Sequence, residues 1–227
     1  MDQRVKLGEL DRDGAIRELG AEAADAVREK GATRAAFLAR GGLLVGAGLA
    51  AGSLPIAFAG AQGGLSRSDV RILNYALTLE YLEAAFYADA LRRGGLRGNA
   101  LAFARTAGSD EQAHVDALKR TLGGQAVRTP RFDFMDATAT QDAFLRTAQT
   151  LEDTGVSAYQ GQAPAIQSRD VLAAAGAILA VEARHAAWVR DIVGRGQDPV
   201  PAPDAFNEAL DMAAVLDAVR STGFIAQ

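Results

Sequence analysis

The chain of 227 residues has no cysteine, only two histidines, six prolines and one tryptophan. Without cysteine it can form no disulfide, thiolate site, iron–sulfur cluster or lipid-modified cysteine. Its net charge of −4 lacks the basic excess of nucleic-acid-binding proteins, so no nucleic-acid partner is expected. Prolines and runs of β-branched residues are scarce, while alanine and leucine are abundant. This composition favours an all-α fold with one sizeable core.

The N-terminal segment, residues 1–61, differs from the rest of the chain. A polar, charge-mixed stretch, expected to be a helix, precedes an uncharged Gly/Ala-rich run at residues 41–61. Arg34 and Arg40 precede this run and small-x-small sites end it, as in a secretory signal. The segment "TRAAFL" is similar to a twin-arginine export signal, except that Ala35 replaces the second arginine. We therefore predict export from a bacterial cell or into its envelope. An uncleaved membrane anchor and a helical arm packed on a partner subunit are the alternatives.

The rest of the chain predicts four long helices and a short fifth one. Caps, Gly-Gly stops and proline-containing breaks place them at about residues 68–93, 99–122, 139–160, 169–194 and 204–221. Ser68-Asp69 is the predicted N-cap of the first helix. Helices of this length suit an antiparallel four-helix bundle, assigned to residues 62–197, followed by an extension over residues 198–227.

Each long helix carries a glutamate in the apolar seam that faces the bundle axis. Two of these glutamates begin a Glu-x-x-His motif, and the two motifs hold both histidines of the chain. The other two glutamates follow Thr-Leu in the repeated segments "TLEYLEAAFY" and "TLEDTGVSAY". The candidate metal ligands are therefore Glu80, Glu111, His114, Glu152, Glu182 and His185.

The repeat also guides the reading of the neighbouring residues. Glu83 lies one turn after Glu80, but its counterpart in the second copy is Gly155, so Glu80 is preferred as the ligand. Glu83 is predicted to be a charge on the helix surface or an auxiliary carboxylate at the mouth of the site. Tyr87 and Tyr159 follow their glutamates by seven residues. They are predicted to be core aromatics, with hydrogen bonding to a ligand or a catalytic redox role as the alternative.

Four carboxylates inside a bundle repel one another, so an ion-free site must be wet or protonated. Two divalent cations would neutralise them. Carboxylate and imidazole donors suit iron or manganese, and less exclusively zinc. Three further polar residues are candidates to orient the imidazoles: Asn74, Asp110 and Asp153.

Four phrases of the sequence, "LNYALTLEYLEAAFY", "DEQAHV", "TLEDTGVSAY" and "VEARHAAWV", resemble the ferritin-like superfamily. Within it, they are similar to the exported bacterial group related to plant desiccation-related proteins. The resemblance covers residues 66–195 and implies a dinuclear Fe or Mn site held by the six candidate ligands.

The resemblance further implies Fe²⁺ oxidation or reaction with O₂ or H₂O₂ in stress protection. A metal-sequestering or desiccation-related structural protein, and an envelope module with a vestigial site, are the alternatives. Metal ions and the oxidant are the expected partners. Membrane association through residues 41–61 and a homo-oligomer stay open.

Overall fold

The computed structural model of the protein describes residues 64–194 and 201–225. Its helices are α1 (Arg67–Arg93), α2 (Gly98–Leu122), α3 (Gln141–Gln162), α4 (Arg169–Gly194) and α5 (Met212–Thr222). Short 3₁₀ turns follow α2 at Gly123–Gln125 and α3 at Ala163–Ala165. Helix α1 packs mainly along α2, and α3 mainly along α4. The predicted all-α bundle is confirmed, whereas the export signal predicted within residues 1–61 lies outside the described residues.

The N-terminus of α1 corrects the predicted cap. Ser66 caps the helix, because its hydroxyl accepts a 3.0 Å hydrogen bond from the Asp69 backbone N–H. The Asp69 carboxylate is itself buried and accepts hydrogen bonds from the backbone N–H groups of Gln167 at 2.9 Å and Ser168 at 3.2 Å. This side chain therefore fastens the start of α1 to the loop that leads into α4.

The short C-terminal helix begins at Met212, later than the predicted start at residue 204. The stretch before it is not helical, because its backbone is bound to α3. The Leu210 N–H donates to the Ser157 carbonyl at 3.1 Å. The Leu210 carbonyl oxygen lies only 1.8 Å from where Gly161 would carry a Cβ atom, so a glycine is required at this crossing. Asp211 then caps α5 by accepting a 2.8 Å hydrogen bond from the Ala214 N–H.

Two apolar clusters fill the two ends of the bundle. One cluster brings Leu73, Leu77 and Tyr81 of α1 against Val115, Leu118 and Leu122 of α2, together with Val171 and Ile178 of α4. The other end contains an aromatic group, in which the rings of Phe86 and Phe144 stack with centroids 5.4 Å apart. The seam glutamates lie between the two clusters. Water is therefore scarce around them, and electrostatic interactions are correspondingly strong.

Among the described helices, α4 alone is long and apolar enough to cross a bilayer, judged by length and composition. The core helix of a water-soluble bundle passes the same test. This helix also carries Glu182 and His185, both of which are buried. The predicted membrane association through residues 41–61 falls outside the described part of the chain.

Candidate metal centre

The structure brings the six candidate ligands together at the middle of the bundle, although α1 to α4 each supply only one or two of them. All four glutamates are fully buried, and the two histidines are 8% and 3% exposed. Helix geometry explains why each Glu-x-x-His pair points inward together, since residues three apart share one helix face. The set comprises Glu80 of α1, Glu111 and His114 of α2, Glu152 of α3, and Glu182 and His185 of α4.

The six side chains form two adjoining groups of four. In each group, one potential ligand atom per residue lies within 4.8 Å of those of the other three. The first group contains Glu80 and His114, and the second contains Glu152 and His185. Glu111 and Glu182 belong to both groups. Two shared carboxylates and two unshared ones, with one imidazole for each group, are compatible with a dinuclear metal site.

Several buried atoms of this cluster have no hydrogen-bond partner among the described residues. They are Glu111 Oε1, Glu152 Oε2, both carboxylate oxygens of Glu182, and His185 Nδ1. His185 Nδ1 lies 3.0 Å from Glu111 Oε1 and 3.4 Å from Glu152 Oε2, yet without hydrogen-bond geometry. Ligands about 2.1 Å from an octahedral ion lie about 3 Å apart. The spacing and the unpartnered atoms therefore fit a pair of divalent cations.

The orientation of His185 is set by Asp110. The Nε2–H of His185 donates to Asp110 Oδ2 at 3.1 Å, so Nδ1 is the nitrogen that faces the cluster and would bind a cation once its own proton is displaced. The other two residues predicted to orient the imidazoles do not reach them. Asn74 bonds to the backbone of Gln125 and Val127, and Asp153 forms a 2.7 Å ion pair with Arg190.

Three carboxyl groups of the cluster, those of Glu80, Glu111 and Glu182, have perturbed pKa values. Burial, and then the charge of Glu80, raise the pKa of Glu111 to about 7. Burial, followed by the charges of Glu111 and Glu80, raises the pKa of Glu182 well above its ordinary value. Burial would also raise the pKa of Glu80, but its hydrogen bond with His114 lowers that pKa overall. Without cations, some of these carboxyl groups therefore hold protons at neutral pH.

The imidazoles compensate part of this negative charge. His114 Nδ1 lies 3.1 Å from Glu111 Oε2 and 3.2 Å from Glu80 Oε2. Burial alone would lower the pKa of His114, but its carboxylate neighbours raise it overall. Burial opposes the positive charge of His185 in the same way, and Asp110 and the neighbouring glutamates nevertheless raise its pKa to about 12. Cations entering the site would displace these protons.

Each of the two tyrosines forms a hydrogen bond with a glutamate of the other repeat copy. Tyr87 of α1 donates its hydroxyl hydrogen to Glu152 of α3, and Tyr159 of α3 donates to Glu80 of α1. Burial, and then the charge of the carboxylate that each contacts, raises both tyrosine pKa values well above the ordinary value. Both hydroxyls are therefore protonated donors that hold the two unshared glutamates in place. A catalytic role for the tyrosines stays a prediction.

Glu83 is a fifth carboxylate of the cluster, and its prediction as a helix-surface charge is wrong. It is only 3% exposed, and burial, followed by the charge of Glu182, raises its pKa well above the ordinary value. A Cβ atom on Gly155 would lie 3.3 Å from Glu83 Oε1 and 3.2 Å from Glu182 Oε2. The glycine at the repeat position of Glu83 thus leaves room for both carboxylates. The glycine that stands in the second copy at the position of Glu83 is the sequence feature that could have indicated the burial of Glu83.

Comparison with known families agrees with this architecture. A family model of the ferritin-like domain matches residues 68–195, which is more than half of the chain and nearly all of α1 to α4. No curated protein matches the chain. Membership in the exported, desiccation-related group stays a prediction.

Proposed function

Since the chain belongs to the ferritin-like domain family, we propose that it holds two Fe or Mn ions and reacts with O₂ or H₂O₂. Glu80 and His114 would hold one ion, and Glu152 and His185 the other. Glu111 and Glu182, which belong to both groups of ligands, would be shared. The cluster of buried acceptors without hydrogen-bond partners is the observation that carries this proposal, because a folded protein rarely leaves such atoms unpaired.

Bound iron or manganese would supply a redox couple that exchanges electrons with the oxidant. The protein's own residues would neutralise the ions, hold the ligands and limit access of water. Tyr87 and Tyr159 position the unshared glutamates, and Asp110 retains the proton on His185 Nε2. With Fe²⁺ as the substrate, two ferrous ions and two protons would reduce O₂ to H₂O₂. Alternatively, two ferrous ions and two protons would reduce H₂O₂ to two waters.

A variant of Glu111 tests the proposal, because this residue belongs to both groups. The wild-type protein should bind two Mn²⁺ ions per chain in calorimetry, and aerobic Fe²⁺ addition should produce a ferric absorbance. Glu111→Ala should lose both signals. Glu208→Ala, which removes an exposed glutamate of the C-terminal extension, should keep both. If Glu111→Ala binds and oxidises metal like the wild type, the assignment of the site is wrong.

The same experiment separates an enzyme from a metal-sequestering protein, which is the alternative function. Tight binding of two ions without reaction with either oxidant would favour sequestration. Light scattering would complete the distinction, since a monomer or dimer cannot enclose a mineral core.

We also propose that the protein acts outside the cytoplasm, on the basis of the sequence pattern at residues 41–61. The Gly/Ala-rich run behind two arginines supports cleavage after one of its small-x-small sites. N-terminal sequencing of the exported protein should give a start near Gly60 or Gln62. An intact N-terminus in a membrane fraction would instead support an uncleaved anchor.

A further inference from the structure

A small cavity lies at the end of the bundle where α1 and α2 meet α3 and α4. Its volume is about 20 Å³, and a cavity of about 10–15 Å³ suffices for one water molecule. Its lining is almost entirely apolar. The side chains that line it include those of Tyr75, Ala76, Leu79, Tyr159, Ala175 and Ile178.

The cavity adjoins the candidate metal centre through Tyr159. This residue lines the cavity, while its hydroxyl donates to Glu80 of the centre. Leu79, another lining residue, directly precedes Glu80 in α1. A molecule in the cavity would therefore be separated from the ligands by little more than one aromatic side chain.

The chemistry of the lining selects the occupant. The lining is almost entirely apolar, so it offers an occupant few polar contacts. Its buried hydroxyl without a hydrogen-bond partner among the described residues, that of Tyr75, supplies a water molecule with one hydrogen bond. A buried water needs two to four such contacts. Hydrogen peroxide, with two hydroxyl groups to satisfy, is disfavoured for the same reason. A small apolar molecule requires none of these bonds, and apolar cavities take up such molecules.

We propose that this cavity binds dioxygen beside the metal centre, and that O₂ rather than H₂O₂ is the oxidant that the protein admits by this route. The inference rests on the proposed function for its choice of oxidant. The existence of an apolar gas site does not depend on that function and can be tested without metal.

Xenon, an apolar atom of suitable size, probes the cavity in the full-length, metal-free protein. The wild type should show one saturable xenon site by ¹²⁹Xe NMR. Ala175→Leu should abolish it by filling the space, whereas Ala173→Leu, on the exposed face of the same helix, should retain it. If Ala175→Leu fails to fold, Ala76→Val fills the cavity from α1. Absence of a saturable xenon site in the wild type would overturn the proposal.

The oxidant is tested with the Fe²⁺-loaded protein at limiting O₂. Ala175→Leu should slow ferric formation by O₂ about tenfold, equivalent to about 1.4 kcal/mol in the barrier. Its Fe²⁺ binding and its reaction with added H₂O₂ should be unchanged. If the O₂ reaction is as fast as in Ala173→Leu, or if both oxidants are slowed alike, the cavity does not deliver O₂. If the wild type binds no iron, the proposed function fails, while the xenon result still decides whether the gas site exists.

Discussion

Replacing Glu182 with glutamine should stabilise the metal-free protein while removing its ability to hold two ions. Glu182 is fully buried, and neither of its carboxylate oxygens has a hydrogen-bond partner among the described residues. Burial and the charges of Glu111 and Glu80 raise its pKa well above the ordinary value of 4.5. The glutamine side chain has nearly the same shape, carries no charge, and can donate hydrogen bonds to the neighbouring carboxylates.

The magnitude follows from the proton that the folded protein must retain. At pH 7 the unfolded chain ionises Glu182, so the cost of favouring its protonated form in the fold is at most about 3 kcal/mol. The folded state binds more protons than the unfolded state above pH 4.5, and its stability therefore falls as the pH rises. Glutamine avoids this cost. We expect Glu182→Gln to gain up to about 3 kcal/mol at pH 7, or about 6–12 °C in Tm. At pH 5 the gain should shrink below about 1 kcal/mol.

The difference in free energy of unfolding between the variant and the wild type is measured by urea titration at pH 5 and pH 7 in the presence of a chelator. Circular dichroism monitors the unfolding. Glu208→Gln, at an exposed position, is the matched control and should change stability by less than about 0.5 kcal/mol at either pH. With Mn²⁺ present, Glu182→Gln should be less stable than the wild type, because the variant loses a shared metal ligand. A variant that is less stable than the wild type at both pH values without metal would refute the electrostatic reasoning.

Two further variants test how the centre is held. Gly155→Ala places a Cβ atom 3.2 Å from a Glu182 oxygen and should weaken Mn²⁺ binding about tenfold in calorimetry. Gly176→Ala, which meets no atom within 4 Å, should not, and equal affinities would refute the packing argument. Tyr87→Phe removes a buried hydrogen bond to a carboxylate and should cost about 2 kcal/mol in urea unfolding. Tyr81→Phe, whose hydroxyl bond is long at 3.5 Å, should cost less than about 0.5 kcal/mol, and similar losses would contradict the assigned role of Tyr87.

The local interactions at the helix ends show where sequence reasoning succeeds and where it fails. Glycine pairs correctly predicted that α1 ends at Arg93 and α2 at Leu122, because Gly94 and Gly123 adopt positive φ angles. The cap at Ser66 was missed because both Ser66 and Ser68 are suitable cap residues. The fifth helix was predicted too long, since the segment before Met212 has helical composition but binds α3 through its backbone.

The helical bundle, and the face of each long helix on which the six candidate ligands lie, could be predicted from the sequence alone. Apolar periodicity and the internal repeat carry that information, because both depend on spacing along one helix. Which side chains meet across helices could be seen only in the folded protein. The crosswise Tyr87–Glu152 and Tyr159–Glu80 contacts, the choice of Asp110 as the partner of His185 and the burial of Glu83 all depend on helix rotation and offset. Those quantities result from packing among four helices, and spacing within one helix does not specify them.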